Sequence, residues 1–327
     1  MKRRLRFAGG GAKVSRAFTG AATGGGGDTV LQSSPVQEMK KHAPSRAQEN
    51  QFSSRAICVN SLHMIHPTAV IHPGAQIDPT ATIGPHAVID GAVTLGAGCV
   101  VGPFVHLTGN TSIGARNHFH AGCVMGDAPQ DLKYQGGPTR LVIGHDNVFR
   151  EHVTIHRSSK MEEDTVIGSN NFLMTHGHVG HNSRLGNHVL IANGAMLGGH
   201  VTVEDRAFIS GNCLVHQFVR IGTLALMQGG AAISKDLPPY TIARGGVNSL
   251  CGLNVMGLRR AGYDAAQRLE LRRLYQALFR HRGRMNDALA RARLEFTSPA
   301  ARVLLDFFAG NKRGVCTSSR NKPGLEE

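Results

Sequence analysis

A chain of 327 residues with 41% hydrophobic residues is long enough for a substantial core, yet it carries no tryptophan and only 5% aromatic residues to fill one. Its formal charge of +14 divides into +7 over residues 1–63, −1 over 64–250 and +8 over 251–327. The nearly neutral middle and scarce rings argue against nucleic acid tracking along it, and no apolar run approaches the roughly 18 residues of a membrane span.

Residues 1–63 are rich in Gly, Ser, Ala and Arg, poor in acids, and show no repeat. They are expected to be a disordered leader or an over-extended start, Met64 standing directly before the first repeat. The alternative is an organellar transit peptide, which has this Arg-rich, acid-poor composition.

From Ile65 a period of six takes over: Ile65, Ile71, Ile77, Ile83, Ile89, Leu95, Val101, Leu107, Ile113, Phe119 and Met125, then Ile143, Phe149 and Ile155, then Ile167 through Val215 to Ile233. Six fits neither a helix nor an ordinary strand. It suits a solenoid whose coil has three short sides of six residues, each sending one aliphatic side chain to the axis. Gly often follows the aliphatic residue, as at Gly96, Gly114, Gly168 and Gly198, where the chain bends and a side chain would obstruct it. The prediction is an all-β solenoid, a parallel β-helix of hexapeptide repeats over residues 64–250.

Two interruptions preserve register, since Met125 to Ile143 spans eighteen residues and Ile155 to Ile167 twelve. Both are expected to be excursions from the coil wall, and Asp127 to Arg140 is a candidate part of a site because ligand contacts concentrate in loops on rigid scaffolds. Cys99, Cys123 and Cys213 each fall four residues after a ladder position, a slot for small buried residues. With no CxxC spacing they read as packing thiols in a reducing compartment.

After Pro238-Pro239-Tyr240 helical signals begin. Leu253 to Arg282 carries Leu258, Leu271, Leu274 and Leu278, and Ser298-Pro299 opens a last helix ending near Gly310. Residues 251–312 are expected to form a C-terminal α-helical cap, and 313–327 a disordered tail. The cap's excess of Arg would attract an acidic partner.

Of the eighteen histidines, His176, His178, His181, His200 and His216 fall within 41 residues. His181, Gly199 and Gln217 are spaced by whole coils of eighteen and share one column, and His200 stands one position beyond Gly199. Strands stacked about 4.8 Å apart bring these groups within reach of each other.

Gln130-Asp131-Leu132-Lys133-Tyr134, Ile155-His156-Arg157, Asn171 to Asn182, Gly199-His200-Val201, Val215-His216-Gln217-Phe218 and Gly257-Leu258-Arg259-Arg260 together resemble the UDP-N-acetylglucosamine O-acyltransferase family, which begins lipid A synthesis. The resemblance covers about residues 65 to 313. It implies a left-handed coil, a homotrimer with sites between neighbouring protomers, and a cytoplasmic enzyme needing no cofactor or metal. The implied reaction moves an (R)-3-hydroxyacyl group from acyl carrier protein to the 3-hydroxyl of UDP-N-acetylglucosamine. It implies His181 as general base and the Gly199 N–H as oxyanion donor. Gln130, Asp131, Lys133, His178, His200 and Gln217 would hold the sugar and the acyl-pantetheine arm, Asn254 and Arg260 the nucleotide, and Gly229 would limit acyl-chain depth in favour of a longer chain. The chain departs from the pattern at Asn182, where many members have Asp, and at Ala261, where another Arg often follows the arginine pair.

Three rival readings are testable. A zinc hydratase of the γ-carbonic-anhydrase kind would use His176 and His181 as ligands. The N-acyltransferase acting later in the same pathway would need a folded uridine-binding domain where the Gly-rich leader stands. A scaffold that has lost its site would not keep this polar column.

Overall fold

The computed structural model describes residues 64–280, 283–310 and 313–318. The expectations for 1–63 and 319–327 lie outside these residues.

Pairs of residues such as Val70–Ile71, Val88–Ile89 and His106–Leu107 form very short strands, and each strand pairs in parallel with the third strand along. Three sheets of nine, eight and eleven strands result, the faces of a prism. Each ladder residue sits over its counterpart one coil away, as in Val179 on Leu197 and Leu197 on Val215. Across the interruptions Met125 lies beside Ile155, and Ile143 beside Ile167. The excursions thus leave the wall between Asp127 and Arg140 and between His156 and Thr165, and re-enter in register.

The ladder is the core. From Ile83 to Ile233 its members are buried, with Phe119 and Phe149 stacked 5.0 Å apart on the axis. Ile65, in the first described coil, is 43% exposed. Cys99, Cys123 and Cys213 are fully buried as the packing reading required, their thiols donating to backbone carbonyls. Asn117, Asn147 and Asn171 stack as a buried amide ladder that the aliphatic pattern did not foretell. The glycines after the ladder residues are there for closeness: a Cβ on Gly114 would lie 2.6 Å from the Gly144 oxygen of the next coil. The left-handed turn positions come two residues later and are filled by Asn182, His200 and Phe218, at φ of 58°, 58° and 65°.

The C-terminal part differs from expectation in three ways. The boundary at 250/251 falls inside a strand, Ser249–Leu253, which turns back antiparallel on Thr241–Ala243. The helical stretch from Leu253 divides into α1 (Val255–Arg260) and α2 (Ala265–Phe279), the latter started by an Asp264–Gln267 capping box, and α3 (Met285–Glu295) follows. Ser298 caps α4 (Pro299–Asp306) as its sequence implied. Finally, order does not stop at 313. Val315 and Cys316 are buried and Thr317–Ser318 adds a strand to Ser249–Leu250, so residues 313–318 are no disordered tail. A second apolar cluster, including Leu258, Leu271, Leu274, Leu304 and Leu305, meets Leu224 and Tyr240 of the last coils. No helix among the described residues is long and apolar enough to cross a membrane.

Candidate active site

The column foreseen around His181 forms on the nine-stranded sheet, where His178–Val179, Met196–Leu197 and Leu214–Val215 are successive strands. His181, Gly199 and Gln217 follow these strands at the same turn position. Gln130, His156, His178, His181, Gly199 and Gln217 converge on a cleft of about 420 Å³. Its floor is apolar, with Met196 and Leu214 about half exposed along it.

His181 is buried, and its Nδ1 lies 2.8 Å from Asn182 Oδ1. The identity of that amide atom is set by its other partners: it accepts from the Ser159 N–H at 3.0 Å, and an N–H can only donate. The Asn182 Nδ2 donates to Ser158 Oγ and to a Glu163 carboxylate oxygen, which again fits one orientation only. An amide oxygen accepts, so the proton of neutral His181 sits on Nδ1 and the lone pair of Nε2 is free. That Nε2 faces Gly199, where an added Cβ would stand 2.6 Å from it. The Gly199 N–H donates no hydrogen bond among the described residues.

Burial disfavours the charged form of the neighbouring rings. Burial, followed by the nearby His156 and His181, pushes the His178 pKa down to about 4. Its Nδ1 lies 2.8 Å from Thr154 Oγ1. Burial also lowers His200, whose ring stands edge-on to His181 at 5.2 Å and stacks on Phe218 at 4.5 Å. Glu163 approaches its Nδ1 to 3.6 Å.

Other expected residues lie elsewhere. Asp131 and Lys133 belong to the excursion but are outside the cleft lining, with Asp131 Oδ1 accepting from the Lys133 N–H. Gly229 is exposed at a turn. Asn254 and Arg260 line a second cleft of about 390 Å³ with Phe208 on the eleven-stranded sheet, so within this chain they do not join His181. Asn254 also caps α1, accepting from the Gly257 N–H and donating to the Leu224 oxygen.

His156, though within the Ile155-His156-Arg157 motif, is not among the site residues expected from the sequence. It is buried in the cleft wall and its Nδ1 has no hydrogen-bond partner among the described residues. A signal was available: it occupies the slot after the ladder residue that is Gly180 and Gly198 in later coils. The zinc reading fails on geometry. His176 stacks on His152 at 5.2 Å, and among the described residues no three His, Cys, Asp or Glu side chains converge as a ligand set.

Residues 236–316 match the family model described as UDP-N-acetylglucosamine O-acyltransferase, domain 2. The acyl-[acyl-carrier-protein]–UDP-N-acetylglucosamine O-acyltransferase of Myxococcus xanthus is 44% identical over 253 residues, covering 77% of this chain and 98% of that protein. The same-named protein of Gloeothece citriformis is 42% identical over 243 residues, covering 74% and 88%. Among solved structures, the UDP-N-acetylglucosamine acyltransferase of Francisella novicida superposes with a TM-score of 0.75 at 32% identity, covering 81% of this chain and all of that one. The Arabidopsis UDP-N-acetylglucosamine acyltransferase gives 0.69 at 34%, covering 77% and 100%.

Proposed function

This chain belongs to the acyl-[acyl-carrier-protein]–UDP-N-acetylglucosamine O-acyltransferase family, and on that premise we propose how its residues divide the work of the reaction. The fold is a left-handed parallel β-helix with an α-helical cap. The chain is an O-acyltransferase that takes acyl groups from acyl carrier protein to UDP-N-acetylglucosamine, the first step of lipid A synthesis.

In our reading the His181 Nε2 takes the proton of the sugar 3-hydroxyl as its oxygen attacks the thioester carbonyl carbon of an (R)-3-hydroxyacyl donor. The carbonyl electron pair moves onto oxygen, where the Gly199 N–H donates to it. Collapse re-forms the carbonyl, breaks the C–S bond and expels the pantetheine thiolate, which recovers the proton from the His181 imidazolium. His178, His200, Gln130 and Gln217 orient the sugar and the acyl arm, with Asp131 and Lys133 closing over them from the excursion. The observation that carries this reading is the held tautomer: Asn182 Oδ1, oriented by the Ser159 N–H, leaves Nε2 as the acceptor facing Gly199.

We assign the nucleotide to Asn254 and Arg260 of a neighbouring protomer in a homotrimer, because within one protomer these residues lie on a different face from His181. The basic cap steers the acidic carrier protein, so association slows with salt. We place the reaction in the cytoplasm, where a nucleotide sugar and an acyl carrier protein meet.

The test is acyl transfer to UDP-N-acetylglucosamine with carrier proteins bearing 3-hydroxyacyl chains of graded length. Ester forms with the native chain, and His181→Ala lowers the rate by about a hundredfold or more. No ester from any donor, with folded trimeric protein, would end the reading.

A further inference from the structure

A neutral imidazole that takes up a proton becomes a cation, and the amide touching His181 carries no charge to balance it. Asn182 Oδ1 accepts from His181 Nδ1, but an amide offers only a dipole. A carboxylate does stand behind the amide, that of Glu163, on the excursion that leaves the coil after His156. The Asn182 Nδ2 donates to Glu163 Oε2 at 3.3 Å, and the same oxygen is 3.6 Å from His200 Nδ1. One carboxylate therefore reaches both rings of the edge-on His181–His200 pair, one of them through the amide.

Resting on the base role given above to His181, we propose that Glu163 is its positioning carboxylate, holding and polarising His181 through Asn182. The chain of bonds runs His181 Nδ1–H to Asn182 Oδ1, and Asn182 Nδ2–H to Glu163. Donation to a carboxylate polarises the amide and strengthens acceptance at its oxygen. Backbone and hydroxyl groups of Ser158 and Ser159 hold the same amide from the excursion, so the loop and the base are one bonded unit. A separated His–Asn–Glu relay does what a directly bonded carboxylate would do for an imidazole, with the negative charge one residue further out.

The other charged groups facing this cluster are few. Lys160 holds the second Glu163 oxygen at 3.2 Å and, like Asp131, acts on His200. His156 and His178 lie against His181, with Asp127 and Arg157 acting on His156. Asp164, beside Glu163 in the chain, is engaged by Arg140 at 2.7 Å. The bland role for Glu163 is a surface tie to Lys160, which by itself contributes little.

The two roles separate in a cycle of variants of the full chain, followed as kcat/KM against pH, with the assembly mass and melting temperature checked for each. Glu163→Gln lowers the plateau by about tenfold, the low end for loss of a partner that orients a working His. It also moves the acid limb to lower pH, because His200, edge-on to His181, loses a negative neighbour that favours its protonated form. Asn182→Asp alone also loses rate, since it sets a second carboxylate against Glu163. Combining the two restores the plateau to within about threefold of native, the new Gln amide donating to the new carboxylate; losses this coupled cannot be additive. Lys160→Met, which breaks the tie and keeps the carboxylate, leaves the plateau near native and moves the acid limb the other way, to higher pH, because His200 loses a positive neighbour. The proposal is overturned if the Glu163→Gln profile superimposes on native, if the double variant shows the product of the single losses, or if Lys160→Met costs as much as Glu163→Gln. Failure of the underlying base role would look different: His181→Ala would keep its rate.

Discussion

Substituting Gly199 by Ala tests the site where it is tightest. The new Cβ would stand 2.6 Å from His181 Nε2 and 2.7 Å from Cε1, against 3.4 Å for an ordinary contact, a shortfall of about 0.8 Å. The backbone is not the obstacle, because Gly199 is absent from the positive-φ glycines. The ring cannot swing freely, because Asn182 holds its Nδ1 and His200 stands against its side. Either the ring moves by most of that shortfall or the 199 turn does, and both separate base from oxyanion donor. A displacement near 1 Å costs about a hundredfold, which is roughly 2.7 kcal/mol of transition-state stabilisation. Single-turnover acyl transfer, with donor and nucleotide sugar saturating, reads this directly. Overpacking should cost about 1–3 kcal/mol of stability, so the variant is expected to remain folded and assembled at 25 °C. A single-turnover rate within fivefold of native would refute the geometric reasoning.

Three further outcomes are expected. The His178 pKa, held down to about 4 by burial and by His156 and His181, lies below the ordinary value of 6.5, so the unfolded chain binds the extra proton in this window. Stability is complete above pH 6.5 and falls as pH drops towards 4, by at most about 3 kcal/mol; urea midpoints at pH 7 and 5 should separate less in His178→Gln, and an equal separation would discount the effect. In the full chain with Cys58→Ser, thiol titration should find one fast group, exposed Cys251, and four released only by denaturant, because Cys99, Cys123, Cys213 and Cys316 are buried and burial pushes Cys123 and Cys316 up to about 12. At Gly229 a Cβ meets only the Gly211 oxygen, at 3.6 Å. Gly229→Met should fold normally and shift preference to shorter acyl donors, and an unchanged chain-length profile would remove Gly229 from the acyl path.

The architecture was legible because its physical cause is local and repeated. A coil axis that admits one aliphatic side chain per six residues writes its period into the chain, so the buried series from Ile83 to Ile233 could be named without coordinates. The same period placed His181, Gly199 and Gln217 in one column, and the register-preserving gaps located both excursions. The cap was less legible: the strand Ser249–Leu253 and its partner Thr317–Ser318 are too short to announce themselves, and they exist because the last coil needs an edge covered.

What only tertiary structure decided is the electrical state of the site. Nothing in the spelling of His181-Asn182 says which nitrogen carries the proton; the Ser159 N–H, arriving from an excursion 23 residues earlier, turns the amide oxygen to Nδ1 and so frees Nε2. Glu163 stands nineteen residues before Asn182 and outside the six-residue ladder, so no column includes it, yet its carboxylate meets both Asn182 and His200. The separation of Asn254 and Arg260 from His181 is likewise a matter of which prism face the helix α1 packs beside. Periodicity determines what stacks along the axis, because stacking repeats with the chain. Contacts made by loops leaving the wall obey no period, and here the proton's position depends on them.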